Sequence, residues 1–208
     1  MAHNLKKFST EADYSAATLN YPAVSWITGT NSVYFDATAP ATFGGLTVHY
    51  LIDQSMAGVN VNLFNGGGDS ESGGGDSESG GGGVLPSAMY VDGVEETVVN
   101  SWLFETVGEH IVQYEFEDNT IPESFLDGTP TAKNVTVGTD IIEISALAFN
   151  LNLTSASVEA TTPPTIADEN SFGGGAYGQN YPIYVPTSAV STYRTQWNSL
   201  SSRIEAIQ

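Results

Sequence analysis

An imidazole beside a carboxylate is the smallest unit of general acid–base chemistry, and the chain offers one such neighbourhood, Glu109 and His110. The other histidines, His3 and His49, lie far away in sequence, and there is no cysteine. A thiolate nucleophile, a disulfide framework and a Cys-ligated metal are thereby excluded. No two histidines are spaced to chelate zinc, and both His-Glu-x-x-His and Gly-x-Ser-x-Gly are absent. Glu115 and Glu117 form a carboxylate pair of the kind a glycosidase uses. They share one face of an alternating segment, where solvation is the ordinary explanation. The reading is therefore no catalytic residue, no metal site and no cofactor.

Two further groups of side chains bear on binding. Asp69, Glu71, Asp76 and Glu78 lie in a tandem Gly-Gly-Gly-Asp-Ser-Glu-Ser repeat, 66–72 and 73–79, followed by glycines to residue 83. Carboxylates suit calcium, but the block lacks fixed hydrophobic positions. It reads first as a flexible, solvated loop, because ordering it costs entropy and buries no apolar area. Tyr177, Tyr181, Tyr184 and Tyr193 crowd around the stretch Gly173–Gly178. They are candidates for recognition by stacking on a glycan or receptor, with packing in the core or at its rim as the alternative.

The charge balance narrows the partners. Of 208 residues, 24 are acidic and five are Lys or Arg, a formal charge of −19. Such a chain lacks the basic face that phosphate contacts need, so no nucleic-acid partner is expected. An anionic membrane surface is excluded on the same ground. No stretch approaches 18 apolar residues, and the N-terminus lacks the apolar core of a secretory signal. A soluble protein made in the cytoplasm is expected.

The elements that would position these groups are mainly β. Val24, Trp26 and Val33, Phe35 alternate around Gly29-Thr30-Asn31 and predict a hairpin. Leu46, Val48, Tyr50 and Ile52 form one strand, and Val59, Val61 and Leu63 alternate with asparagines. Met89 and Val91 lead into Asp92-Gly93, a strong hairpin signal. After Val98, Trp102 and Phe104, the segment opening at Gly108 alternates Val112, Tyr114 and Phe116 with polar residues, as a half-buried antiparallel strand does. Further on, Phe125, Phe149 and Phe172 recur at 24 and 23 residues, and Ile144 and Ile166 at 22. The pairs Val135/Val137, Ala156/Val158 and Ile183/Val185 keep step with them. A period of 20–29 with one short strand per unit is the pattern of a leucine-rich-repeat coil. Val190, Tyr193, Trp197 and Leu200 predict a closing helix with Ser188 as its N-cap, and Arg203–Ile207 a last strand.

At the N-terminus, Thr10 and Asp13 suggest a capping box, with a helix over 11–17. Leu5, Phe8 and Tyr14 are apolar anchors beside Lys6 and Lys7.

The segments Ile142–Phe149, Leu153–Ile166 and Pro182–Pro186, with Tyr193, Trp197 and Ser202–Ile207, resemble the end of BspA-type leucine-rich-repeat proteins of gut Bacteroidales. Met89–Glu95 through Gly108–Tyr114 is similar to the immunoglobulin-like module that often precedes those repeats. Asn4–Phe8, Glu11–Tyr14 and Tyr21–Ile27 resemble the N-terminal arms of capsid-associated and fibre proteins of tailed phages of the same bacteria, the crAss-like group among them.

Together the resemblances imply an anchoring arm (1–20), an immunoglobulin-like sandwich (21–118, with 66–83 as an inserted Gly-rich loop) and a short leucine-rich-repeat-like β coil capped by a helix (119–208). They imply a non-enzymatic auxiliary, decoration or head-fibre protein on the capsid exterior of a virion. It would be held to the major capsid protein or another virion protein through Leu5, Lys6, Lys7, Phe8, Tyr14 and Trp26. A homo-oligomer is expected, with a host-surface glycan or protein as the outward contact. The alternative is a secreted or surface-exposed BspA-like adhesin of a gut bacterium.

Overall fold

The computed structural model describes residues 24–27, 32–35, 43–65, 85–127, 129–149, 153–173 and 180–207. The expected arm and helix within residues 1–20, the loop 66–83 and Tyr177 lie outside these residues. The chain divides into two compact units, residues 1–42 and 43–208. In the first, β1 (Val24–Ile27) and β2 (Ser32–Phe35) form an antiparallel hairpin that pairs Val24 with Phe35 and Trp26 with Val33.

The second unit opens with β3 (Leu46–Ile52), whose Leu46, Val48, Tyr50 and Ile52 all point inward and are buried. Next comes β4 (Asn60–Asn62). β5 (Ala88–Val91) and β6 (Val94–Glu96) are joined by the turn Asp92-Gly93, with φ of 49° and 81°. Both angles lie in the left-handed region that Asp tolerates and Gly adopts freely. β7 (Ser101–Leu103) pairs back on β4. β8 (Gly108–Glu115) buries Val112 and Tyr114.

From residue 120 the chain coils. β9 (Thr120–Ile121), β11 (Glu143–Ile144) and β13 (Thr165–Ile166) form one parallel sheet. β10 (Ala132–Val137), β12 (Ser155–Val158), β14 (Ile183–Val185) and β15 (Ile204–Ala206) form a second parallel ladder. The register stacks Val135, Ala156, Ile183 and Ile204 in one line. Corners are tied as well: Ser145 N–H donates to the Ile121 carbonyl at 3.0 Å, and Ala167 N–H to that of Ile144 at 3.1 Å. Each turn covers the apolar face of the one before it.

The two regions share one sheet. Its order is β15-β14-β12-β10-β3-β8-β5-β6, parallel on the first side and antiparallel on the second. β3 is the join, antiparallel to β8 on one edge and to β10 on the other. The start of this seam is tight, because a Cβ on Gly138 would lie 2.1 Å from the Phe43 carbonyl oxygen. A single buried cluster runs from Leu46 to Ile204. At its middle, Phe125 packs against Phe64 (5.1 Å), Tyr114 (5.1 Å) and Phe116 (5.3 Å between ring centres).

The far end is closed by α1 (Val190–Gln196). Trp197 meets Phe172 at 5.3 Å and Tyr193 at 4.9 Å, and its indole N–H donates to the Pro164 carbonyl at 3.0 Å. The expected Ser188 cap is corrected here. A 3-10 turn over Thr187–Ala189 precedes the helix, and Ala189 occupies the cap without a side-chain hydrogen bond. The chain is thus mainly β, with a large mixed sheet and one short C-terminal α-helix among the described residues.

Candidate functional site

Successive residues of a strand point to opposite faces, and this decides how the chemistry-bearing groups combine. Glu109 and His110, adjacent in β8, do not meet each other. His49 on β3 reaches Glu109 on the outer face, Nδ1 to Oε1 at 2.8 Å. His110 turns inward, its ring 4.5 Å from that of Phe104 and tilted by 34°. Its Nδ1 lies 2.8 Å from Asp92 Oδ2 and its Nε2 3.0 Å from the Thr106 carbonyl oxygen. Asp92 also accepts from the Ile111 N–H at 2.9 Å, so the group pins the β5–β6 hairpin to β8. Both nitrogens of His110 are occupied, which leaves no imidazole edge to take a substrate proton.

The remaining groups are equally absorbed. Glu115 and Glu117 are exposed, and Glu115 receives the Tyr90 hydroxyl at 3.5 Å. Tyr50 and Tyr114 sit fully buried with their hydroxyls 3.0 Å apart, and Tyr50 donates to the Leu63 carbonyl. Burial pushes both phenols above their ordinary range, so they stay protonated. Among the described residues no three His, Asp or Glu side chains converge on a metal position. A groove of about 410 Å³ runs between Thr139–Ile142 and Ala160–Thr165. Threonines, prolines and isoleucines line it, and no titratable side chain does.

The cations of the second unit serve the main chain. Arg203 is buried, its Nε donating to the Tyr181 carbonyl at 2.9 Å and its Nη2 to that of Phe172 at 3.0 Å. Arg194 donates to the Ile204 carbonyl at 2.8 Å, and Lys133 to that of Pro130 at 2.9 Å. No Lys or Arg ion pair with a carboxylate occurs among the described residues. From residue 43 onward these three cations accompany 21 acidic residues.

What the fold does assemble is a line of side chains across the outer face of the large sheet. Strand pairing sets Glu205 beside Tyr184, Tyr184 beside Ser157, and Ser157 beside Thr136. Thr136 faces Thr47, Thr47 faces Gln113, Gln113 faces Tyr90, and Tyr90 faces Glu95. All eight strands contribute one residue. The six between the two glutamates are uncharged and half-buried, and Gln113 Nε2 lies 3.4 Å from Thr47 Oγ1. Phe43 meets the Tyr90 ring edge-on at 6.0 Å.

Of the tyrosines singled out from sequence, Tyr184 alone enters this line. Tyr181 is 6% exposed under the guanidinium of Arg203, which lies 4.3 Å over its ring, and Tyr193 is fully buried with its hydroxyl on the Ala160 carbonyl at 2.8 Å. Neither presents a ring to a ligand, because each fills the core beneath the last turns. Trp26 lies on β1, opposite Val33. Leu5, Lys6, Lys7, Phe8 and Tyr14 fall outside the described residues. The outer line was missed at the level of sequence. Its members are the polar residues of strands that alternation reveals, but their alignment needs the register between strands up to 158 residues apart, from Thr47 to Glu205.

The chain matches no known family model, no curated protein and no solved structure.

Proposed function

We propose that the chain is a non-enzymatic display protein of a tailed-phage virion. Its N-terminal arm anchors it to a capsid protein, and its acidic β body faces outward. The observation that carries this reading is the division of charge: residues 43–208 hold 21 of the 24 acidic residues, and their three cations are all engaged with main-chain carbonyls. The body therefore carries an almost single-signed field. That field repels packaged nucleic acid and keeps copies soluble on a crowded surface. Lys6 and Lys7, beside the apolar Leu5, Phe8 and Tyr14, are the cations outside it.

The parallel turns from residue 120 onward support the finer reading of a BspA-like leucine-rich-repeat end, and β3 to β8 an immunoglobulin-like module fused to it. In this reading the arm supplies apolar side chains to pockets on a neighbouring subunit. The test is removal of residues 1–20. The shortened chain is expected to fold and to be lost from particles in co-sedimentation. Retention on capsids at the level of the full chain overturns the anchor. A BspA-type surface adhesin is the second reading, favoured by the same parallel turns, and it requires the chain in the bacterial envelope fraction.

A further inference from the structure

We infer that the outer face of the eight-stranded sheet binds a neutral polysaccharide laid across the strands along the line Tyr184–Ser157–Thr136–Thr47–Gln113–Tyr90. The inference deepens the display reading by naming what the body presents, and it holds whatever the arm attaches to.

Three observations single out this occupant. The first is charge. In a chain of formal charge −19, six consecutive positions carry none, and the acids resume at both ends with Glu205 and Glu95. An anionic glycan or nucleic acid is repelled by the surrounding field, and a cationic partner finds its counter-charges off the line, at Glu115, Glu205 and Glu95. A second copy on the same face is disfavoured too. Two-fold stacking sets the glutamates at the ends of the line against those of the other molecule and brings two acidic bodies together.

The second observation is chemistry. Hydroxyls and an amide, each both donor and acceptor, occupy the middle four positions, with a tyrosine at either end. Sugar hydroxyls need donors and acceptors together, and the apolar face of a pyranose suits an aromatic ring. An apolar protein surface would instead cover the Ser157 and Thr136 hydroxyls and leave Gln113 and Thr47 only each other.

The third observation is period. Neighbouring strands repeat at ~4.8 Å, and an extended, equatorially linked hexose chain advances by about the same distance per sugar. The two tyrosines are five strand spacings apart, ~24 Å on that repeat. A glycan crossing the sheet thus meets one polar side chain per sugar between its two aromatic ends.

The experiment is affinity electrophoresis of the full chain in gels containing mixed-linkage β-glucan, glucomannan or arabinoxylan, with polygalacturonate as the charged comparison. Retardation by at least one neutral polymer and none by polygalacturonate is expected. Thr136→Arg and Tyr184→Ala should each weaken the retardation at least tenfold, while Thr161→Arg, in the wall of the separate groove, leaves it unchanged. Thermal melting checks that each variant is folded, and Ser157→Glu replaces Thr136→Arg if that variant does not fold. No retardation by any of the three neutral polymers overturns the inference. So does retardation that survives the substitutions in the line, or self-association in sedimentation that Thr136→Arg abolishes. None of these results bears on the arm, which the co-sedimentation test addresses separately.

Discussion

Thr47 and Thr136 face each other across the antiparallel pair of β3 and β10, at the seam where the antiparallel and parallel parts of the sheet become one. Phe125, in the turn between β9 and β10, packs against three rings, two of them in or next to β8. The two parts therefore share hydrogen bonds on one side and an aromatic core on the other.

Residues 43–208 are expected to unfold as one body. Trp102, against the antiparallel part, and Trp197, in the helical cap, report on opposite ends. In urea, fluorescence from single-tryptophan variants at each position should give coincident midpoints. Phe125→Ala should lower stability by about 3–5 kcal/mol and shift both midpoints together. Separate transitions would show that the seam does not couple the parts.

The buried tyrosine pair is asymmetric. Tyr50 donates to the Leu63 carbonyl, so the 3.0 Å contact between hydroxyls has Tyr114 as donor. Tyr114→Phe removes a donor and leaves Tyr50 its bond to Leu63, a loss of about 1 kcal/mol. Tyr50→Phe strands both the Leu63 carbonyl and the Tyr114 hydroxyl and should cost about 2–3 kcal/mol. Chemical denaturation of the two variants gives the order directly, and equal losses would contradict the donor assignment.

Arg203 joins two turns of the coil through its fork, one nitrogen on the Tyr181 carbonyl and another on that of Phe172. Lysine presents a single ammonium and cannot span both. Arg203→Lys is expected to destabilise by about 2 kcal/mol, with faster hydrogen exchange around Phe172 and in β14. Unchanged exchange there would show that the guanidinium is not the tie.

Two carboxylates give opposite pH signatures. Partial burial holds the Glu159 carboxyl above its ordinary range. Its ionised form therefore weighs against the folded state at neutral pH. That penalty fades as pH falls through the raised folded value and is gone below the unfolded one. Glu159→Gln should thus be more stable than the parent at pH 7, with the gap closing in acid. Asp53 runs the other way. Hydrogen bonds from the Ser55 hydroxyl and N–H, and one from the Met56 N–H, hold its carboxyl low. Its contribution is present above the unfolded value and is lost as pH falls through the folded one. Asp53→Ala should weaken the turn at pH 7 and be without effect once the carboxyl is protonated. Melting temperatures between pH 3 and 7 check both signs.

How far the sequence could be read follows from how local each signal is. Period-two alternation in Leu46–Ile52 and Val112–Phe116, and the Asp92-Gly93 turn, are carried by neighbouring residues, and the strands lie where those patterns place them. The spacing of Val135, Ala156 and Ile183 identified residues that do stack in register. Ile121 was overlooked as the first member of the Ile144–Ile166 column, because a two-residue strand carries no periodicity. The β4–β7 pair was not legible, since its partners are about 40 residues apart with the glycine block between. Glu109 and His110 are neighbours in sequence but face opposite sides of the strand, a separation that alternation alone predicts. The burial of Arg203 was not legible, since its carbonyl partners lie 22 and 31 residues earlier in the chain.

The proposal that this acidic body belongs to a virion is tested by quantitative mass spectrometry across a density gradient of purified particles. The chain is predicted to follow the major capsid protein at a fixed ratio through every particle fraction. Its absence from those fractions, with recovery in the envelope fraction of the host cells, would place it on the bacterial surface instead.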